Sequence, residues 1–166
     1  MSGKSLGKIY LHELETEVTS TRKCLERIPE SLFEYKPHER SMNMGYLALI
    51  VAALPDWITH TIKDSEIDFA TYKQFQPKTT AELVKYFDDN LVGAKNALQE
   101  VTDEALAELF YLKNNGVTLT SSSKDDSIES LINHLVHHRG QLTVYMRMNE
   151  ILVPSIYGPS ADEKTF

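Results

Sequence analysis

The sequence predicts an all-α protein, a four-helix bundle with a small β-hairpin before the last helix. Four long stretches repeat apolar residues in steps of three and four, which is the spacing of one face of a helix. A turn signal between two short β-prone runs predicts the hairpin. The 166 residues are enough for about one domain with a full hydrophobic core.

The first two helices are predicted from their apolar seams and their end signals. The first runs over about residues 6–27, and the second over residues 42–62 with Ser41 or Asn43 as its N-cap. Pro55 lies inside the second pattern. A proline lacks a backbone N–H group and fits poorly in a helix interior. We therefore expect a kink or a break there.

The third helix and the hairpin follow in order. Thr79 and Glu82 have the spacing of a capping box, so the third helix is predicted to open there. A short helix is expected over residues 103–109. The runs 110–113 and 117–120 flank an Asn-Asn-Gly turn and predict the two hairpin strands.

The last helix is predicted to begin after a loop at residues 121–126, with Ser127 as a capping residue, and to end near Asn149. One of its stripes joins four apolar or aromatic residues and a histidine: Leu131, Leu135, His138, Leu142 and Tyr145. A histidine in the middle of a core stripe needs either a hydrogen-bond partner or a metal ion.

His134 and His138 are four residues apart on this helix, so their side chains are neighbours on one face. Two imidazoles so placed can share a divalent metal ion. The alternative is a core histidine beside a solvated one, and the spacing alone leaves both interpretations open. His137 lies off the stripe and is expected to be exposed or to support the pair.

The segment His-x-x-x-His-Arg-Gly-Gln at residues 134–141 resembles the last-helix signature of the DinB family. Residues 35–41 and 153–163 are similar to the family's lead-in to its second helix and to the tail of one of its branches. The resemblance spans residues 5–162, taken as a single domain. It implies a four-helix bundle, which in many members carries a divalent metal on three histidines.

One position departs from this resemblance. The family places its first metal-ligand histidine on the second helix, and here Ile50 stands at that position. The resemblance implies a divalent-metal-dependent enzyme of thiol-transferase or hydrolase type, using Zn or Ni, with His134 and His138 as the remaining ligands. The alternative is a metal-free, non-catalytic protein that binds a small molecule or associates with itself.

The neighbours of the pair allow more than one interpretation. Arg139 and Gln141 either fix the histidine rotamers, line a pocket mouth or form a solvated face. Tyr145 and Trp57 are expected in the core, with a role beside a pocket as the alternative. The tail from residue 153 onward is expected to pack on the bundle as a plug, a pocket cover or a dimer contact.

Composition limits the class of protein. The formal charge of −7 is opposed to nucleic-acid binding, which needs a basic surface. No run approaches 18 apolar residues, so no membrane partner is expected. Cys24 is the only cysteine, which permits a reducing compartment. We expect a bacterial cytoplasmic protein, and the resemblance adds a homodimer. The family name refers to DNA-damage-inducible expression and not to an activity.

Overall fold

Four long helices form the body of the protein in the computed structural model, which describes residues 5–164. They are α1 (Leu6–Glu26), α2 (Met44–Lys63), α3 (Thr80–Glu100) and α5 (Lys124–Met148). Each of α1 and α2 packs against both α3 and α5, so the helices are arranged around the core in the order α1, α3, α2, α5. The predicted four-helix bundle is confirmed.

The ends of α1 and α2 lie close to the predicted ones. Asn43 is the N-cap of α2, and its side-chain oxygen accepts a hydrogen bond from the N–H of Tyr46 at 2.8 Å. α2 continues as one helix through Pro55, so the proline does not divide it. Pro55 is buried and packs within the core face of the helix. A short 3₁₀ helix, Glu30–Leu32, lies between α1 and α2.

α2 is the central helix of the core. It is long and apolar enough to cross a membrane by length and composition, with a mean hydropathy of 1.2 over its most apolar window. Most of that window is buried inside the protein, between α3 and α5. α2 therefore packs as the core helix of the bundle.

A three-stranded sheet lies beside the bundle. The predicted hairpin is confirmed as β2 (Leu109–Asn114) and β3 (Val117–Ser123). A strand that the sequence analysis did not predict, β1 (Glu66–Asp68), pairs parallel to β2 at the edge of the sheet.

Hydrogen bonds to the hairpin turn hold β1 at the edge of the sheet. Asn115 and Gly116 both have positive φ, 50° and 79°, as a tight hairpin turn requires. The Asp68 carboxylate accepts hydrogen bonds from the N–H groups of both residues, at 2.9 and 2.7 Å. These bonds lower the pKa of Asp68, after the larger effect of its bond to the Ala70 N–H. The loop before α3 is thereby fixed to the hairpin.

The start of α5 and the end of the short helix after α3 differ in detail from the prediction. Ser123, and not Ser127, is the N-cap of α5, because β3 continues through Ser123 and the helix begins at the next residue. The Ser123 hydroxyl accepts from the Asp126 N–H at 3.0 Å. The short helix after α3 is a single turn, α4 (Asp103–Leu106), since β2 begins at Leu109.

Candidate functional site

The two histidines on α5 face each other. The Nε2 atoms of His134 and His138 are 2.6 Å apart, and the Nδ1 atom of His138 is 2.8 Å from Oε1 of Gln141. With the amide oxygen as acceptor, His138 carries its proton on Nδ1 and its Nε2 accepts from His134. Gln141 therefore fixes the rotamer and the tautomer of the buried histidine, which is one of the roles predicted for it.

Burial lowers the pKa of His134, and the neighbouring His138 and His137 lower it further. His134 is thus held neutral at neutral pH. A neutral imidazole can accept a hydrogen bond or bind a metal, whereas an imidazolium cannot.

This shift predicts the pH dependence of the site. The unfolded chain takes up a proton near pH 6.5, and the folded chain does so only at lower pH. Stability is therefore lost as the pH falls from 6.5 to the folded pKa, and His134 makes no further difference below it. An NMR titration of the ring Cε1–H, assigned with a His134→Gln variant, should give a midpoint below 6.5. A midpoint above 6.5 would contradict this electrostatic description.

The pair has no third ligand within residues 5–164, where no group of three or more His, Cys, Asp or Glu side chains is placed to hold a metal ion. Ile50 lines the same cleft as His134, and its alkyl side chain has no lone pair to offer. The residues present do not fit a three-histidine centre.

Two other potential metal ligands, His60 and Asp162, are paired with other side chains. His60 contacts Asp64 at 2.6 Å and Asp56 at 3.6 Å, toward the far end of α2. Asp162 is paired with Arg147 at 2.5 Å. The remaining candidates, all exposed, are His12, His38 and Glu150.

A cleft of about 600 Å³ opens between α2, α5 and the sheet, and His134 stands at its edge. Its aromatic side chains are Tyr46, Trp57, Phe69, Tyr72 and Phe110, and its hydroxyl-bearing side chains are Thr61, Thr120, Ser121, Ser122, Ser127 and Ser130. Trp57 is half-buried, so its alternative role beside a pocket is the one observed. Clefts of this size and mixed polarity accommodate small molecules.

Arg139 lies on the other side of α5, in the core, where neither a solvated face nor a pocket mouth was found. It is 1% exposed and its Nη2 is 2.5 Å from Oε2 of Glu17, which is 6% exposed. Its Nη1 donates to the hydroxyls of Ser20 and Thr21, both at 3.0 Å. The hydroxyl of Tyr157 accepts from Nη2 at 2.9 Å and donates to the Glu17 carboxylate. The charge pair is thus fully hydrogen-bonded.

Tyr157 belongs to the C-terminal tail, which packs back on the bundle as predicted. Glu163 forms ion pairs with Lys23 of α1 and with Arg27, which directly follows this helix. The bond to Arg27 is the main reason that the pKa of Glu163 falls to about 2. The described part of the tail does not reach the cleft lining. The tail acts as a plug over Arg139 and not as a cover of the cleft.

The sequence profile of the DinB family matches residues 1–165. The chain belongs to the DinB family. It is 27% identical over 159 residues to the protein YrdA of Bacillus subtilis, covering 93% of this chain and 89% of the relative.

Solved structures of DinB-like proteins share the fold. One from Bacillus cereus is 25% identical with a TM-score of 0.70, covering 90% of this chain and 97% of the other. The DinB-like YjoA of Bacillus subtilis is 16% identical with a TM-score of 0.69, covering 95% and 99%. A protein of Exiguobacterium sibiricum assigned to the DinB family is 16% identical with a TM-score of 0.69, covering 93% and 98%. The DinB fold thus extends over nearly all of this chain.

Proposed function

We propose that this DinB-family protein binds a small molecule in the cleft between α2, α5 and the sheet, without a resident metal ion. Two observations together carry the proposal. A cleft is present, and Ile50 lines it at the position where a metal centre would need a third ligand. The histidine pair is already hydrogen-bonded by itself and by Gln141. Both ring nitrogens of the buried His138 therefore have hydrogen-bond partners without a metal ion.

A second candidate function is a divalent-metal-dependent enzyme of thiol-transferase or hydrolase type. The specific observation in its favour is the approach of the two Nε2 atoms, together with the Nδ1 contact to Gln141, which resembles the support that metal-bound histidines receive. His134 and His138 would then hold Zn or Ni with only two protein ligands. Such a site is weaker than one with three.

The partners we propose follow from the surface. Val144 and Met148 lie one turn apart on α5 and are 57% and 55% exposed. A Cβ atom at the neighbouring Gly140 would meet nothing within 4 Å. This flat apolar stripe supports a homodimer. The charge of −7 supports neither a nucleic acid nor an anionic membrane as partner, and a bacterial cytoplasmic location suits such a protein.

A variant that fills the cleft tests the proposed function. Ser130 is exposed on α5 and lines the cleft, so Ser130→Phe should occupy it without disturbing the core. In a thermal-shift screen of small molecules, a compound at ~100 times its Kd adds about 2.7 kcal/mol, or very roughly 5–10 °C in Tm. We expect such compounds for the natural chain and none for Ser130→Phe.

The matched control is Asn133→Phe, which places the same ring on an exposed residue of α5 outside the cleft lining. This variant should respond to the compounds as the natural chain does. A screen in which Ser130→Phe responds equally, or in which no compound stabilises the natural chain, would contradict the proposed site.

A further inference from the structure

The cleft contains no strongly charged side chain. Among its lining residues, all within the described part of the chain, none is Lys, Arg, Asp or Glu. A ligand ion entering such a cleft would lose water without gaining a partner of opposite charge, which is costly. The lining therefore favours an uncharged ligand.

Three aromatic side chains form one contiguous wall of the cleft. The ring centroid of Trp57 is 5.7 Å from that of Phe69 and 5.5 Å from that of Tyr72, so the rings contact each other directly. A cation over one of these ring faces would gain only about 0.5–2 kcal/mol, and no carboxylate in the lining compensates for its lost hydration. The rings are inclined to each other by 40° and 67°, and their exposed faces suit a mainly apolar aromatic molecule.

One edge of the cleft, formed by β3 and α5, presents hydrogen-bond acceptors. The Ser127 hydroxyl donates its only proton to the carbonyl oxygen of Ser123 at 2.8 Å. The contact of 2.7 Å between the Ser122 and Ser127 oxygens must then use the proton of Ser122. Both hydroxyls therefore donate their protons to hydrogen bonds within the protein, and only their lone pairs are left to accept from a ligand. A ligand at this edge has to donate.

We propose that the cleft selects an uncharged, flat, mainly apolar molecule that donates an O–H or N–H to the Ser122–Ser127 edge while lying against Trp57. This inference rests on the proposed function and deepens it by naming the ligand class. Two features disfavour carboxylates and other anions. No Lys or Arg in the lining can pair with them, and the lone pairs of Ser122 and Ser127 repel them.

Trp57 provides the readout, because it is the only tryptophan in the chain. Its indole N–H gives a single resonance in an NMR spectrum of nitrogen-labelled protein, and its shift can be followed through a titration. Four naphthalenes share one ring system: 2-naphthol, which is neutral and donates; 2-methoxynaphthalene, which cannot donate; 2-naphthoate; and 2-naphthylmethylammonium. We expect 2-naphthol to bind about fivefold more tightly than the methoxy compound, the effect of one hydrogen bond. It should exceed both ions by at least about tenfold.

A Ser122→Ala variant separates the acceptor edge from general packing. The substitution should lower the affinity for 2-naphthol toward that for 2-methoxynaphthalene, and should leave the affinity for 2-methoxynaphthalene unchanged. Equal binding of either ion and 2-naphthol would overturn the ligand class while the proposed function stood. Equal binding of the methoxy compound would overturn the donor requirement. If none of the four shifts Trp57 while the Ser130→Phe comparison still identifies cleft ligands, the ligand class is again wrong and the binding site is right.

Discussion

Replacing Arg139 with Met should destabilise the protein by about 3–5 kcal/mol. The substitution removes the only cation that faces Glu17 within the described core network and leaves that carboxylate buried. It also removes the donor to the hydroxyls of Ser20 and Thr21. Urea unfolding followed by circular dichroism measures the loss, with the midpoint shifted at nearly constant slope.

Two controls make this result specific. Arg22→Met carries the same chemical change at a half-exposed residue that pairs with Asp88, and should cost less than about 1 kcal/mol. The double variant Glu17→Met/Arg139→Met removes both charges and should recover at least half of the loss. A cost below about 1 kcal/mol for Arg139→Met would mean that water reaches the pair. If the double variant loses as much stability as Arg139→Met and Glu17→Met lose together as single variants, the two residues are not coupled.

Replacing Ile50 with His should create a metal site that the natural chain lacks. Ile50 lines the cleft beside His134, so an imidazole there adds a third nitrogen ligand to a pair that already converges. We expect Zn²⁺ affinity to rise by at least about 100-fold, since three protein ligands form the usual open zinc site. Competition with a chromogenic chelator measures the two constants.

The matched control is Ile50→Asn, which introduces polarity at the same position without an imidazole. It should bind Zn²⁺ no better than the natural chain. Adding His138→Ala to the Ile50→His variant should abolish the gain. If Ile50→His binds no better than the natural chain, residue 50 does not face the histidine pair as described.

The sequence was sufficient for the helices and for the histidine pair, because both depend on local spacing. Steps of three and four define the helical faces, and residues four apart on α5 meet in any helix. The Asn-Asn-Gly turn likewise depends on local backbone preferences. These features need no knowledge of how distant segments come together.

The surroundings of Arg139 could not be predicted in this way, since its partner Glu17 is 122 residues away in the chain. One signal was present. Glu17 lies three residues after Leu14 and four before Thr21, so a carboxylate falls on a buried stripe of α1. A charged residue on such a face indicates a buried partner of opposite charge, although not which one.

The cleft also depends on distant contacts. Trp57 falls on an apolar stripe of α2 and is most simply assigned to the core from sequence. Only the sheet, which contacts α2 through β1 and α5 through β2 and β3, leaves the tryptophan facing a cavity. Ser122 belongs to a serine run typical of a loop, but it continues β3 and so points a hydroxyl into the same space.

Native mass spectrometry of the tag-free protein, purified without added metal, tests the central claim most directly. It measures the mass of whatever remains bound to the folded chain. We predict the mass of the protein alone or with an organic molecule, the latter lost in Ser130→Phe, and no stoichiometric Zn or Ni. One equivalent of either metal, lost in His138→Ala, would show that His134 and His138 hold an ion although residue 50 supplies no ligand. That result would contradict the metal-free binding site.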